Sequence, residues 1–96
     1  MMMTLLFYMT VKAGQVDAFQ ALIPQLVTTT HAEDDGCITY VFHQQRDNPH
    51  EFVLYEQWRD HAAGEAHFAR LDRMIGLTRL FDFFAETRVV EYDVVA

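Results

Sequence analysis

Apolar residues recur along this chain with two different spacings, and the changes between them predict the order of its elements. From residue 4 to residue 11 they include every second position, which is typical of a strand with one buried face. From about Gln15 to Thr30 they recur three and four residues apart, which predicts a helix with one apolar stripe. The strand's apolar face consists of Leu5, Phe7, Met9 and Val11, and the helical stripe of Val16, Phe19, Leu22, Ile23, Leu26 and Val27.

Turn-forming residues divide the rest of the chain. Residues 34–36 predict a turn, and residues 46–49 predict a hairpin loop between two strands. Gly64 and Gly76 weaken the long helical region that follows, and Asp72 is placed to cap a restart, so we expect two helical pieces. The remaining predicted elements are strands at Cys37–Gln44 and Glu51–Trp58, a helical region from His61 to about Phe84, and a last strand at Thr87–Val95.

The predicted order is strand, helix, strand, strand, helix, strand over a single domain at residues 1–96. This is the order of the split βαβ or ferredoxin-like plait, an α+β fold in which a four-stranded antiparallel sheet carries both helices on one face. The first three strands have apolar or aromatic residues on both faces, whereas the helices can cover only one. We therefore expect the uncovered face to pack against the same face of a second copy, giving a homodimer in the form of a dimeric α+β barrel.

Charge and cysteine content narrow the partners and the compartment. A formal net charge of −7 disfavours nucleic acid and an anionic membrane as the main partner. The apolar residues 1–11 are too few to cross a bilayer, and they lack the basic start and cleavage site of a secretory signal. The single cysteine, Cys37, excludes an internal disulfide framework and is interpreted as a small buried residue. A reducing, cytoplasmic location is therefore expected.

His67 is the residue that most suggests chemistry. Its neighbours at helical spacing are Ala63, Leu71 and Met74, so its ring is expected on an inward face. Two interpretations follow. The ring is either a core histidine whose polar atoms are satisfied by a backbone carbonyl or by Glu56, or a general base or hydrogen-bond anchor in a pocket between the sheet and the helices.

Other candidate side chains surround that ring. Glu56 and Trp58 share the inward face of the third strand, which ends just before Asp60, the predicted N-cap of the next helix. Glu56 either orients the histidine or forms a salt bridge with an arginine such as Arg59. Trp58 forms either the floor of a pocket or part of the core. Tyr40 and Tyr55 are candidate hydrogen-bonding groups for a ligand, with packing at a dimer interface as the alternative for at least one of them.

Signatures of metal and cofactor sites are absent from the sequence. It contains no glycine-rich phosphate loop, no paired-cysteine motif, no His-x-x-x-His pair and no serine. His61 and His67 lie roughly 240° apart around a helix, so they cannot share a metal from one straight helix. We therefore predict no metal and no cofactor. Most of the arginines are expected on a solvated helix face, with a local positive patch as the alternative; they are Arg59, Arg70, Arg73, Arg79 and Arg88.

Four segments in the same order resemble the antibiotic biosynthesis monooxygenase domains, a family of small dimeric α+β barrels. They are VKAGQVDAF, DDGCITY, FVLYEQW, and the spacing from EQW to EAHF, and together they span nearly the whole chain. Family members often have Glu-Pro-Gly before the second strand. This chain has Asp34-Asp35-Gly36 there, which we interpret as a harmless substitution within a turn.

The resemblance implies a pocket between sheet and helices. As in several family members, it also implies oxygenation of a quinol or other phenolic small molecule by molecular oxygen, without metal or flavin. An electron-rich phenolate can transfer one electron to oxygen, so the protein has to supply a base, a dry cavity and orientation. On this interpretation His67 is the base and Glu56 the second catalytic candidate. The substrate-binding candidates are Phe7, Tyr40, Phe42, Trp58 and Phe68.

The family resemblance leaves two other functions open. One branch isomerises a small phosphorylated signalling molecule and keeps a histidine at the position of His67, and the arginines would then hold the phosphate. The other alternative is a non-catalytic dimeric module that binds a small aromatic molecule. The haem-degrading branch is disfavoured, because its characteristic asparagine, tryptophan and histidine positions hold Phe7, His67 and Leu77 here.

Overall fold

The computed structural model describes all 96 residues, Met1–Ala96. Four strands form one antiparallel sheet in the order β2-β3-β1-β4. The predicted α+β, ferredoxin-like organisation is confirmed. The elements in chain order are β1 (Met3–Val11), α1 (Val16–Glu33), β2 (Cys37–Gln44), β3 (Glu51–Trp58), α2 (His61–Met74), α3 (Leu77–Phe81) and β4 (Phe84–Tyr92).

The core lies between the helices and one face of the sheet. β3 shows the alternation along its whole length, since Phe52, Leu54, Glu56 and Trp58 are buried and the residues between them are half-buried. From α1, Phe19 is fully buried at the centre of an aromatic cluster. The centroid of its ring lies 5.2 to 6.0 Å from those of Phe42, Phe52, Phe83 and Phe84.

Two residues fix the position of α2 against the sheet. Asp60 caps the helix as predicted, because its Oδ1 accepts a hydrogen bond of 2.9 Å from the backbone N–H of Ala63. Gly64 lets the helix approach closely, since a Cβ there would collide with the side chain of Met3 and lie 3.4 Å from the ring of Trp58. His67, one turn further along α2, is thereby brought against the sheet.

The helical pieces differ from the predicted boundaries at their C-terminal ends, and the second helical region stops at Phe81 instead of about Phe84, where β4 begins. α1 runs to Glu33, beyond the predicted end at Thr30. The expected break in the second helical region is confirmed at Gly76, whose φ of 90° is unfavourable for other residues. Asp72 supports the restart, because its Oδ1 accepts the N–H of Leu77 at 3.0 Å. None of the helices is long and apolar enough to cross a membrane.

The prediction of Thr87–Val95 for the last strand was displaced by three residues at each end. β4 begins at Phe84 and ends at Tyr92 because its length is set by its partner β1. Val11 of β1 pairs with Phe84, and Thr4 pairs with Tyr92. The residues after Tyr92 therefore have no strand beside them, although their sequence is equally apolar.

The other face of the sheet carries no helix. On this open face Leu6 lies opposite both Tyr55 and Val90, and Tyr8 lies opposite Val53. The mixture of aliphatic and aromatic side chains is the one that the strand pattern predicts. At its margins Val41 and Tyr92 are nearly half exposed, at 46% and 45%.

Candidate functional site

A small cavity lies between the helices and the covered face of the sheet. Its volume is about 30 Å³, and 12 of its 14 lining residues are hydrophobic. The other two are His67 and Glu56. On this scale one water molecule needs roughly 10–15 Å³, so the cavity has room for about two. Four of the predicted substrate-binding residues line it: Phe7, Tyr40, Phe42 and Phe68.

Trp58, the fifth predicted binding residue, is placed behind His67 instead of in the cavity wall. Its ring centroid lies 4.6 Å from that of His67, with 34° between the ring planes. Tyr40 meets the same imidazole edge-on, with the centroids 5.0 Å apart. Two aromatic rings therefore hold the imidazole in a fixed plane, and the His67 side chain is only 3% exposed.

The carboxylate that orients His67 is Asp34, at the end of α1. The Nδ1 atom of His67 donates to Oδ2 of Asp34 over 2.6 Å, and the Asp34 side chain is 6% exposed. The expectation that Glu56 orients the ring was therefore wrong. It failed because Asp34, which directly follows α1, lies beside α2 in the folded chain. Its carboxylate therefore reaches the imidazole from outside the sheet.

Asp34 is itself held by Arg70. Both oxygens of the carboxylate accept from the guanidinium, Oδ1 from Nε at 2.6 Å and Oδ2 from Nη2 at 2.8 Å. The same Nη2 also donates to Oγ1 of buried Thr30 at 3.3 Å. The prediction that the arginines lie on a solvated face is wrong for Arg70, whose side chain is 13% exposed.

This arrangement sets the protonation of both groups. Burial raises the pKa of Asp34, but the hydrogen bonds from Arg70 and His67 outweigh burial and hold that pKa below its ordinary value. Burial lowers the pKa of His67, and the nearby charge of Arg70 lowers it further, against the opposing effect of Asp34. At neutral pH the site therefore holds an ionised carboxylate and a neutral imidazole.

A neutral imidazole with its proton on Nδ1 leaves the lone pair of Nε2 unprotonated. This tautomer is fixed here because ionised Asp34 can only accept from Nδ1. A histidine oriented by a carboxylate in this way is the usual form of a general base. The ring lines a cavity whose other walls are almost all apolar, so the site can remove a proton from a ligand in dry surroundings.

Glu56 occupies a different environment on the same cavity wall. Its Oε1 accepts the indole N–H of Trp58 at 2.8 Å, and burial raises the pKa of Glu56 to about 7. The alternative of a salt bridge with Arg59 was wrong, because Arg59 lies at the surface and pairs with Asp35 and Asp60, at 3.2 and 3.6 Å. Glu56 is thus a carboxyl group that can be protonated or ionised near neutral pH.

Asp34 and Arg70 were not predicted as members of the site, although the sequence contains signals for both. Asp34 stands where family members often carry the glutamate of Glu-Pro-Gly, so an acidic side chain occurs there in both patterns. Arg70 follows His67 by three residues, which places both on the same side of α2. Neither signal showed that the turn and the helix meet.

The other histidines do not converge with His67. His61 pairs with Glu91 at 2.8 Å, and Nδ1 of His50 lies 3.1 Å from the carbonyl oxygen of Val11. His31 lies 4.0 Å from the sulfur of Cys37, which is half-buried and not fully buried as predicted. No group of three or more histidine, cysteine, aspartate or glutamate side chains is placed to hold a metal ion.

Residues 2–71 match the family model described as antibiotic biosynthesis monooxygenase. The chain belongs to this family. The match spans β1 to most of α2 and so includes Asp34, Glu56, His67 and Arg70. Membership supports a role as a small-molecule monooxygenase or small-molecule-binding domain, and it confirms the family suggested by the four sequence segments.

Solved structures show the same fold. A candidate antibiotic biosynthesis monooxygenase from Nitrosomonas europaea has a TM-score of 0.86 at 23% identity, over 98% of this chain and 90% of that one. A protein from Pseudomonas aeruginosa has a TM-score of 0.85 at 27% identity, over 99% of this chain and 95% of that one.

An uncharacterized protein of Synechocystis sp. is 33% identical over 58 residues, which is 60% of this chain. The matched part is 39% of that relative, so the chain corresponds to about two fifths of its length. The likeness therefore concerns one portion of a longer protein.

Proposed function

We propose that this antibiotic biosynthesis monooxygenase family member oxidises an electron-rich phenol or quinol with molecular oxygen, and that Nε2 of His67 takes the phenolic proton. The observation that carries this proposal is a neutral histidine, held by Asp34 in the Nδ1–H form, in the wall of an otherwise apolar cavity. A base in dry surroundings is what the conversion of a phenol to a reactive phenolate requires.

The reaction balances without a further reductant. The phenolate transfers an electron to oxygen, and recombination forms a carbon–oxygen bond. Loss of water then leaves one oxygen atom on the ring and releases the other. The quinol is oxidised to a hydroxyquinone, so the substrate supplies all the electrons. The protein contributes a base, orientation and exclusion of bulk water.

Glu56 has a complementary role in this proposal. With a pKa of about 7 it can give a proton to the departing peroxide oxygen and recover it from the histidine or from water. Its Oε1 is occupied by Trp58, which leaves Oε2 for the ligand. Phe7, Tyr40 and Phe42 would form the walls against the ring of the substrate.

The cavity has to widen before it can hold such a substrate. Its volume of about 30 Å³ is far below the roughly 300 Å³ of ordinary ligand pockets. Phe68 and Phe81 line the cavity and are each 37% exposed, so the path from solvent passes between α2 and α3. In this proposal, displacement of these two rings opens the cavity to solvent.

The alternative of a phosphorylated substrate receives less support. No arginine or lysine lines the cavity, and Arg70 is engaged by Asp34. Arg88 lies on the open face of the sheet, 4.4 Å above the ring of Tyr8. A phosphate beside His67 would therefore be buried without a cation, which is unfavourable.

We also propose that the open face of the sheet is covered by the same face of a second copy. Support comes from the apolar and aromatic residues there, among them Leu6, Val53 and Tyr55. Sedimentation at micromolar protein should give twice the chain mass of 11.2 kDa. A well-folded monomer at that concentration would rule out the barrel.

Oxygen consumption tests the proposed activity. Protein stripped of metals and flavin should consume oxygen with an electron-rich hydroquinone faster than the quinol autoxidises. Equal amounts of oxygen consumed and hydroxyquinone formed are expected. Tight binding of the quinol without oxygen uptake would favour the binding module, and turnover of a phosphorylated ligand would favour the isomerase.

A further inference from the structure

Arg70 is a mostly buried cation to which the proposed mechanism assigns no role. Its guanidinium donates to Asp34 twice and to Thr30 once, and its Nη1 lies 3.4 Å from the sulfur of Met74. A buried guanidinium is unfavourable unless it is paired and its hydrogen bonds are satisfied. Its hydrogen-bonded carboxylate is Asp34, the residue that holds His67, whereas the exposed carboxylate of Glu33 lies 3.9 Å from its Nη1.

The geometry of the contact constrains the carboxylate. Two parallel N–H donors fix the plane of Asp34, as in other bidentate arginine–carboxylate pairs. Oδ2 accepts from both Arg70 and His67, at 2.8 and 2.6 Å. Arg70, which lies on α2 one turn beyond His67, therefore sets the direction from which Oδ2 of Asp34 approaches the imidazole.

We propose that Arg70 is a positioning residue of this site: by binding both oxygens of Asp34, it keeps His67 as a neutral ring with its proton on Nδ1 and Nε2 free to act as a base. The last clause rests on the proposed function. The protonation state and the tautomer of His67 do not depend on the proposed function, and they can be measured in protein that has no activity.

The charges around the ring explain why Arg70 is needed. His67 is faced by Asp34 from the end of α1, by Arg70 from α2, and by Glu56 and Tyr40 from the sheet. Asp34 alone would favour an imidazolium, because a buried carboxylate stabilises a cation beside it. Arg70 already compensates that charge and lowers the pKa of His67. Without it, Asp34 is free to draw a proton onto the ring.

A purely structural role for Arg70 makes a different prediction. In that case the residue only joins the end of α1 to α2, and its loss lowers stability without altering the imidazole. Arg73 provides a matched control, because it is an exposed arginine on the same helix and outside the contacts with Asp34. Both Arg70→Gln and Arg73→Gln remove one positive charge from α2.

Nitrogen NMR of the histidine rings distinguishes the two roles. With ¹⁵N-histidine, the wild type should show His67 as the neutral Nδ1–H tautomer at pH 7, with the signal assigned by its loss in His67→Gln. Arg70→Gln should raise the pKa of His67, whereas Arg73→Gln should leave it unchanged. A folded Arg70→Gln protein with the wild-type tautomer and pKa would overturn the proposal.

Arg70→Lys covers the case in which the glutamine variant does not fold. Lysine keeps the positive charge but cannot reproduce the planar pair of bonds to Asp34, so the pKa of His67 should change little while the ring is no longer held in the Nδ1–H tautomer alone. A folded Arg70→Lys protein with only the wild-type tautomer also contradicts the proposal. Where the wild type consumes oxygen, the Arg70→Gln loss of kcat/KM should be several-fold greater at pH 6 than at pH 9. Absence of oxygen uptake in the wild type would refute the proposed function and leave the NMR result standing.

Discussion

Two buried carboxyl groups flank the same histidine region, and their surroundings give them opposite properties. Asp34 accepts three hydrogen bonds from Arg70 and His67, and its pKa lies below the ordinary value. Glu56 accepts one from the uncharged indole of Trp58, and its pKa is raised to about 7. Burial acts on both in the same direction, so the difference comes from the donors.

That difference separates two tasks. A carboxylate that stays ionised can orient a histidine, whereas one that is protonated near pH 7 can exchange a proton with a ligand. Asp34 makes no contribution to the cavity wall, while Glu56 is part of it. Replacing each carboxyl group by its amide should therefore affect a different property of the protein.

The largest effect is expected for Asp34→Asn. The asparagine amide keeps one acceptor oxygen and replaces the other with an NH₂ donor, so it can accept from or donate to His67 and the ring loses its strict preference for the Nδ1–H tautomer. Loss of the orienting carboxylate in a Ser-His-Asp triad lowers kcat by about 10⁴-fold, and a loss of that order is expected here. Arg70 also loses its counter-ion, which should reduce the free energy of unfolding by about 3 kcal/mol. Oxygen uptake and denaturant unfolding measure the two effects.

Asp35→Asn is the matched control for this substitution. Asp35 is the next residue, and it is exposed, with only the surface contact to Arg59. The Asp35→Asn variant should retain wild-type turnover and stability. Equal activity in the two asparagine variants would show that Asp34 does not orient the base.

Glu56→Gln should change how stability depends on pH. The pKa of Glu56 is about 7 in the folded protein and has an ordinary value of 4.5, so the folded state holds the proton more tightly. Stability therefore falls as pH rises through this range, by about 3 kcal/mol in total. Glutamine keeps the acceptor for Trp58 and carries no charge, so this loss should disappear.

Denaturant unfolding from pH 5 to pH 8 measures that change. The free energy of unfolding of Glu56→Gln should exceed that of the wild type by an amount that grows with pH and levels off above pH 7. Glu65→Gln, at an exposed position on α2, should follow the wild-type curve. A pH-independent difference between Glu56→Gln and the wild type would mean that Glu56 is ionised throughout the range.

The smallest effect is expected for Arg59→Gln. Arg59 pairs with Asp35 and Asp60 at the surface, where solvent and salt screen the attraction. Its melting temperature should match that of the wild type within error, in contrast to Arg70→Gln. A drop comparable to that of Arg70→Gln would mean that burial does not separate the two arginines.

The fold followed from the sequence because local patterns decided it. Alternation in β3, the cap at Asp60 and the break at Gly76 are each properties of a few neighbouring residues. The bounds of β4 were displaced because they depend on β1, a strand more than seventy positions away in the chain. Local apolar pattern could not fix where that pairing starts.

The site was predictable only in part, for the same reason. His67 and Glu56 followed from positions within one helix and one strand, and both line the cavity. The contact between Asp34 and His67 joins residues 33 positions apart, and no sequence pattern within the turn predicts it. Trp58 shares a strand face with Glu56, yet its ring packs against His67 and does not line the cavity.

The most direct test of the central claim is oxygen uptake by His67→Gln in the presence of an electron-rich hydroquinone. Glutamine can keep a hydrogen bond to Asp34 but cannot take a proton at neutral pH. A folded variant should lose about 10²- to 10⁴-fold in kcat relative to the wild type, the range for removal of a general base. Wild-type turnover by folded His67→Gln would contradict the role of His67 as the base.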